Sequence, residues 1–323
     1  MKRINHVIGI PTLNRVDELD VTIRSILNNT VLPSKIIIVD QSDNDETYKL
    51  IKDYKNESKV IFWYLRLSEK GLTKARNAIL ASLNEEDIIT FLDDDVTLNK
   101  SYIENIQYTF KKYKDVVGVQ GFTIQSKKDI LKKILKLNFK HITESPKVLE
   151  CFENTYPLIV KRNKVMKSEW LSGCNMSYRI SDIKSERFEE QFILYGLGED
   201  LEFSYRLYLK GNRLLLNSSA LLIHRVSKVA RLPSKAKLLM RFGYRRFMIS
   251  QYREKEKVNF LFNQYIENYK SRLKILKIRA PEKFKNIEKS INEILKIVDY
   301  YTDEIDSGNL QRLNEAIIEE LKK

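Results

Sequence analysis

Cysteine is scarce: Cys151 and Cys174 are the only two in 323 residues. Two cysteines do not make a disulfide framework, and their spacing is not that of a zinc site. A reduced, hence cytosolic, protein is expected. Long apolar runs are missing as well. No stretch approaches the roughly 18 uninterrupted apolar residues of a membrane-spanning helix. The run that follows Met1-Lys2-Arg3-Ile4-Asn5-His6 is too short for a signal-peptide core, and Asn14 and Arg15 interrupt it. The expectation is a soluble or peripheral protein. Glycine-rich loops are absent too. No Gly-x-Gly-x-x-Gly and no Gly-x-x-x-x-Gly-Lys-Ser/Thr follows a strand-like run, which speaks against dinucleotide and P-loop sites. No zinc-finger or RNA-recognition signature is present, so no nucleic-acid partner is expected. There is no internal repeat and no low-complexity linker.

What is present bounds the fold. Hydrophobic residues make up 43% and aromatics 10%, so a core can be buried and global disorder is not expected. The length suits one large α/β domain with an appendage, or two modest domains. The formal charge is +14. A basic balance fits nucleic acid, an anionic membrane surface or phosphate-rich ligands. The abundance of Lys, Ile and Asn also fits an A/T-rich genome with no functional meaning.

From His6 to Gln120 the pattern alternates between strand and helix. His6 to Ile10 is a short apolar run ended by Pro11. Val16 to Asn28 has helical spacing, with Leu19, Ile23, Ile26 and Leu27 on one side. Ile36 to Val39 is β-branched, continuous and closed by Asp40, as a buried strand is. Further strands are predicted over 60–65, 87–92 and 116–120, and helices over 46–54, 72–83 and 102–113. Such alternation implies βαβ units, a mostly parallel sheet and ligands at the carboxyl ends of the strands. Thr12, Asn14, Asp40, Ser42, Asp93 and Asp95 fall at those ends. The stretch from Ser126 to Ser168 reads as a basic helix followed by extended segments. Beyond Leu232 helical periodicity dominates, with Phe284, Ile287, Ile291, Ile294 and Leu295 on one face and Leu310, Leu313, Ile317 and Leu321 on another. The boundary is placed near Ala230.

Asp93-Asp94-Asp95 follows the apolar run Ile88-Ile89-Thr90-Phe91-Leu92. Three adjacent carboxylates repel one another, so the cluster is costly without a cation. Alternate residues of an extended chain share a side, so Asp93 and Asp95 can face one ion while Asp94 points away. Oxygen ligands suit Mg²⁺ or Mn²⁺. Taken alone, the triplet fits a metal site and a solvated loop capping the next helix equally well. Asp40 can accept hydrogen bonds from a base or ribose, or cap a turn. Lys70-Gly71-Leu72-Thr73-Lys74-Ala75-Arg76-Asn77 opens a helix, where Arg76 can grip phosphate or a carboxylate, or simply lie exposed. Gly198-Glu199-Asp200 starts another helix. Its acids complement the helix dipole or supply a base. His224, one of three histidines, follows Leu221-Leu222-Ile223.

In this order, the motifs resemble the family-2 glycosyltransferases with a GT-A fold. The pieces are Ile10-Pro11-Thr12-Leu13-Asn14-Arg15, Ile38-Val39-Asp40-Gln41-Ser42, the Lys70–Asn77 segment and Phe91-Leu92-Asp93-Asp94-Asp95. Leu171-Ser172-Gly173-Cys174-Asn175-Met176, Gly198-Glu199-Asp200 with Arg206, and His224 complete the set. The resemblance covers residues 5 to 231. It implies a Rossmann-like α/β domain over 1–230, a mostly parallel sheet flanked by helices. A helical C-terminal region over 231–323 would follow, for packing, homo-oligomer or membrane-surface contact. It implies transfer of a sugar, with inversion, from a nucleotide-diphosphate donor to a hydroxyl of a glycan or lipid-linked acceptor, in cell-surface polysaccharide synthesis. UDP is the expected nucleotide, with dTDP and GDP as alternatives. Pro11, Thr12, Asn14, Arg15, Asp40, Lys70, Arg76, Asp93, Asp94 and Gly173 would form the nucleotide-sugar site. Asp95 and His224 would hold Mn²⁺ or Mg²⁺, and Asp200 would be the general base. Gln41 departs from the Asp or Gly common at that position, which weakens the base-reading role of Asp40.

Two other activities stand beside this one: a sugar-nucleotide pyrophosphorylase and a non-catalytic nucleotide-sugar-binding module. The lack of glycine in residues 10–15 counts against the first, and the intact acidic cluster against the second. Lys235, Lys237, Arg241, Arg245 and Arg246 alternate with Leu238, Leu239, Phe242, Phe247 and Met248. That stretch reads either as a basic helix on an anionic membrane surface, at the inner face of the cell membrane, or as a packing helix.

Overall fold

The computed structural model describes residues 4–84, 86–124, 143–157, 160–161, 163–226 and 234–322. The first part of the Ser126–Ser168 stretch, together with Ser227 and Arg231, lies outside the described residues. The chain divides into two compact units. The first draws on 1–125, 159–189 and 199–230, and the second on 126–158, 190–198 and 231–323. The second unit thus takes two segments from the N-terminal side of Ala230.

The first unit is built on one sheet. Its strands are β1 (His6–Thr12), β2 (Lys35–Asp40), β3 (Ile61–Arg66), β4 (Ile88–Leu92), β5 (Val96–Leu98), β6 (Val116–Ile124), β7 (Val165–Ser168), β8 (Asn175–Arg179) and β9 (Arg213–His224). The order is β3-β2-β1-β4-β8-β6-β9-β5, with β7 also on β9. β3, β2, β1 and β4 run parallel, as do β6 and β9. β8 enters antiparallel between β4 and β6.

The helices follow from which face each strand residue presents. These are α1 (Val16–Leu27), α2 (Glu46–Glu57), α3 (Leu72–Ala81), α4 (Tyr102–Lys112), α5 (Ile180–Ile183) and α6 (Glu199–Leu209). In β2, Ile36 and Ile38 join one apolar core, while Ile37 and Val39 join another. A strand covered on both faces must be apolar at every position, hence the unbroken Ile-Ile-Ile-Val run. Leu19, Ile23 and Ile26 of α1 and Tyr102, Ile103, Ile106 and Phe110 of α4 fill the first core. Ala75 and Ile79 of α3 and Phe203 and Leu207 of α6 fill the second. The result is three layers, helix, sheet and helix, with polar residues expelled to the strand ends.

The second unit is helical: α7 (Ser234–Tyr252), α8 (Val258–Ser271), α9 (Lys274–Arg279), α10 (Pro281–Tyr300), α11 (Thr302–Asp306) and α12 (Gln311–Lys322). α7 packs against α8, α10, α11 and α12. Ile291, Ile294 and Val298 are the buried stripe of α10, and Leu310, Leu313 and Ile317 are buried beside or within α12. The reading of α7 as a membrane-surface helix is corrected here. Leu238, Leu239, Phe242, Phe247 and Met248 are already buried, and so are Arg245 and Arg246. Arg245 donates to the Phe152 carbonyl and lies 4.9 Å from the Tyr265 ring centre. Arg246 forks onto Asp306 at 2.9 and 2.7 Å. Interleaved cations and apolar residues here make a core helix whose charges are paired. Among the described residues no helix is long and apolar enough to cross a membrane.

Candidate active site

The site lies where the parallel strands end. The chain leaves β4 through Asp93-Asp94-Asp95 and re-enters the sheet as β5. Antiparallel pairing sets Val96 opposite His224 at the end of β9, so the imidazole arrives beside the acidic turn. His224 Nε2 is 2.9 Å from Asp95 Oδ1 and 3.8 Å from Asp93 Oδ2. One donor atom from each of the three lies within 4.8 Å of the others. Burial opposes a charge on His224, but hydrogen bonds to Asp95 and Cys174 outweigh it and raise its pKa to about 11. An imidazolium has no lone pair to give, so a cation bound here would displace that proton; with it gone, two carboxylates and one imidazole form a donor set suited to a hard divalent ion such as Mn²⁺ or Mg²⁺.

Asp94 faces elsewhere. Thr12 Oγ1 donates to its Oδ2 at 2.8 Å and Arg15 Nη1 to its Oδ1 at 3.1 Å. Burial pushes its carboxyl up to about 7, against the pull of Arg15 and Thr12. Asp94 therefore pins the turn between β1 and α1 to the acidic turn. Pro11 is buried within β1, opposite Val39. Asn14, with a positive φ of 54°, bridges to the turn after β2: its backbone N–H donates to Ser42 Oγ at 2.7 Å. Its amide donates to Asp43, which also accepts from Lys70 at 2.6 Å.

Asp40 is fully buried. Its Oδ1 accepts from the Ser42 N–H at 2.9 Å, and its Oδ2 accepts from the Tyr64 hydroxyl at 2.8 Å and Arg66 Nη1 at 3.0 Å. Gln41 donates to the backbone carbonyls of Glu69 and Gly71, tying this turn to the start of α3.

Of its two sequence readings, exposed or gripping an anion, Arg76 follows the second, with carboxylates in its grip. Its side chain is 1% exposed. It donates to Glu199, to Asp93 Oδ1 at 3.3 Å and to the Gly173 carbonyl at 3.1 Å. Burial and the Asp200 charge push the Glu199 carboxyl up to about 8, against the Arg76 guanidinium. Asp200 accepts from the Gly173 N–H at 2.8 Å through Oδ2 and from the Leu201 N–H at 2.8 Å through Oδ1.

The structure thus gathers Asp93, Asp95 and His224 at one point, and Arg76, Gly173, Glu199 and Asp200 next to Asp93. Thr12, Arg15 and Asp94 form a third group, and Asp40 with Tyr64 and Arg66 a fourth. Tyr64, Arg66 and Arg225 were not singled out from the sequence. Arg66 carried a usable signal, since it ends β3 as Asp40 ends β2, and the two are partners in register. Arg225 carried another, as the residue after His224. Its guanidinium donates to the Val96 carbonyl and Thr97 Oγ1 at 2.6 Å and to Glu18 at 2.9 Å.

Residues 7–173 match the family described as glycosyl transferase family 2, and the chain belongs to that family. It is 25% identical over 238 residues to the chondroitin synthase of Pasteurella multocida (strain Pm70), covering 65% of this chain and 24% of the synthase. The chain spans 22% to 38% of the length of the first three curated relatives it matches. In fold it resembles S. aureus TarS 1–349 in complex with UDP-GlcNAc, with a TM-score of 0.57 at 15% identity over 98% of this chain and 87% of the other. It also resembles the mannosyltransferase PcManGT from Pyrobaculum calidifontis in complex with GDP-Man and Mn²⁺, with a TM-score of 0.57 at 13% identity over 99% and 88%. The mixed, mostly parallel sheet flanked by helices, with a helical C-terminal region, is the GT-A arrangement that the motifs implied.

Proposed function

We propose that this chain transfers a sugar, with inversion, from a nucleotide-diphosphate donor to a hydroxyl of a glycan or lipid-linked acceptor, assisted by Mn²⁺ or Mg²⁺. The observation that carries the proposal is the convergence of Asp93, Asp95 and His224 at the carboxyl end of β4, linked through Arg76 and Gly173 to Asp200. Residues 1–230 are assigned the catalytic role. The nucleotide is assigned to the turns around Thr12, Asn14, Arg15 and Asp40, with UDP first among the candidates. A polysaccharide acceptor agrees with the chondroitin synthase likeness, and a cytoplasmic setting with the free thiols of Cys151 and Cys174.

Each residue has a physical task. Asp95 and His224 would hold the ion from one side, and Asp93 would stand toward the donor's sugar. When bound, the ion supplies positive charge against the departing diphosphate. Asp200 takes the proton of the acceptor hydroxyl as its oxygen bonds to the anomeric carbon and the carbon–oxygen bond to the diphosphate breaks. Attack from the face opposite the leaving group inverts the configuration in one displacement, with no nucleophile from the protein. The Gly173 N–H keeps the Asp200 carboxylate aimed, and Thr12 and Arg15 keep the donor turn anchored on Asp94.

The test is a thermal-shift panel of UDP-, dTDP- and GDP-sugars with and without Mn²⁺, followed by transfer assays on variants. Asp95→Ala should lose Mn²⁺-dependent donor binding. Asp200→Asn should bind donor normally and lose transfer by about a hundredfold or more. Transfer by Asp200→Asn at the wild-type rate would remove Asp200 as the base. Pyrophosphate release from a sugar phosphate and a nucleoside triphosphate would favour the pyrophosphorylase instead.

A further inference from the structure

Arg76 is the largest charged side chain in the interior of the first unit, and it lies 123 residues from its main partner, Glu199. Burying a guanidinium is costly, and the cost is met only when its donors are matched. Here the matching is incomplete: the Arg76 Nε–H is buried without an acceptor. Replacing Arg76 and Glu199 together by apolar side chains could serve stability as well, whereas removing one of them alone would strand the other. What the arginine does accomplish is to join three separate segments with one rigid fork. It reaches Asp93 after β4 at 3.3 Å, the Gly173 carbonyl before β8 at 3.1 Å, and Glu199 at the start of α6.

Gly173 is held from both sides. Its carbonyl accepts from Arg76 while its N–H donates to Asp200 at 2.8 Å. A Cβ on residue 173 would lie 2.9 Å from Arg76 Nη2 and 3.1 Å from Glu199 Oε1, so only glycine lets the fork seat. The guanidinium carbon is also 5.6 Å from the Phe188 ring centre. Asn77, the next residue, pins Phe188 through its backbone, donating at 3.0 Å and accepting at 2.8 Å.

We propose that Arg76 is a positioning residue: by joining Asp93, Gly173 and Glu199, it sets where the metal-side carboxylate stands relative to Asp200. This rests on the reading of Asp95 and His224 as the ion's ligands, with Asp93 beside them toward the sugar, and of Asp200 as the base. Arg76 touches neither the ion nor the sugar in this scheme. It acts through the groups that do, as partners behind a metal ligand commonly do.

The test begins with Arg76→Lys, which keeps the charge and loses the fork. Mn²⁺ affinity in the presence of UDP is measured by electron paramagnetic resonance, alongside melting temperature. kcat and KM are measured with the nucleotide sugar chosen by the thermal-shift panel, at saturating Mn²⁺. Mn²⁺ affinity should fall by about tenfold and kcat by about tenfold or more, with donor KM within about threefold. Arg76→Ala should regain activity when guanidinium ion is added at millimolar concentration. Wild-type Mn²⁺ affinity and kcat in Arg76→Lys would overturn the proposal. So would losses that merely follow the unfolded fraction and do not respond to guanidinium. If Arg76→Lys does not fold, Gly173→Ala displaces the fork without removing its charge and should show the same paired loss. Asp95→Ala runs beside them. If it binds Mn²⁺ like the wild type, the metal reading itself fails, and the inference with it. If it does not bind Mn²⁺ while Arg76→Lys does so normally, only the inference fails.

Discussion

His6 opens β1 fully buried, with Nε2 2.7 Å from the Thr90 hydroxyl. Burial makes its charged form costly and lowers its pKa to about 3. In the unfolded chain the imidazole takes a proton below the ordinary value of 6.5, while in the folded chain it stays neutral until about 3. The unfolded state therefore gains protons first, and stability falls as pH drops through this window. The loss is at most roughly 5 kcal/mol, and it is absent above the ordinary histidine pKa. Urea midpoints measured between about pH 7 and pH 4 should fall in the wild type and flatten in His6→Gln. Gly121 supports a second expectation. A Cβ there would meet the Ala220 carbonyl oxygen at 2.3 Å and the Tyr102 ring at 2.6 Å. Backbone cannot swing aside as a side-chain end can, so Gly121→Ala should cost about 1–3 kcal/mol in urea unfolding. At this scale Asp94 and Asp95 show how much the sequence alone can state. The expected alternation separated their directions, though the two lie in a turn, and it said nothing of the partners of Asp94, Thr12 and Arg15, which come from the far end of β1 and its following turn.

Among the elements, the parallel strands were legible. β1, β2 and β4 are continuous apolar runs ended by polar residues, and α1 and α4 carry clear helical spacing. β5 and β8 were not read, and β7 only as part of the extended segments expected before Ser168. Each has three to five residues, too short for a period to show, and each is held by antiparallel partners far off in sequence. β9 was glimpsed only at Leu221-Leu222-Ile223, although it runs for 12 residues. These unread strands deliver the site's second half. β5 and β9 together carry His224, and Arg225 locks their end to Glu18 of α1. Arg225→Ala should therefore weaken the Mn²⁺-dependent thermal shift with UDP, because the imidazole is no longer held against Asp95. An unchanged shift would show that the β5–β9 pairing holds His224 unaided.

For the whole molecule, pairing accounts for where the buried and half-buried arginines go. Arg15, Arg66, Arg76, Arg225 and Arg246 each engage a carboxylate within the fold. Arg245 is spent on a backbone carbonyl. Such pairs cancel within the fold and leave the net charge of +14 unchanged, so the excess is carried by the other Lys and Arg residues. The ligand-linked behaviour belongs to this scale too. UDP with Mn²⁺ should stabilise the folded chain by about 2.7 kcal/mol at a hundred times the dissociation constant. The rise in melting temperature should need both components and vanish with a chelator. A shift with UDP that ignores the chelator would argue for a metal-independent nucleotide site.

The sequence by itself determined the three-layer class and the placing of Asp40, Asp93 and Asp95 at strand ends. Both depend on local periodicity and on the rule that buried strands expel polar residues to their ends. It also anticipated that Asp93 and Asp95 converge, although Asp94 and Asp95 form a turn and not the extended backbone that the expectation assumed. His224 was assigned to the metal by the family resemblance and by no local pattern, and the tertiary structure brings it to their cluster and buries Arg76 among acids. It also decided that α7 belongs to a core. Each of those depends on pairing between segments tens to more than a hundred residues apart, and no local pattern in the chain encodes such a meeting.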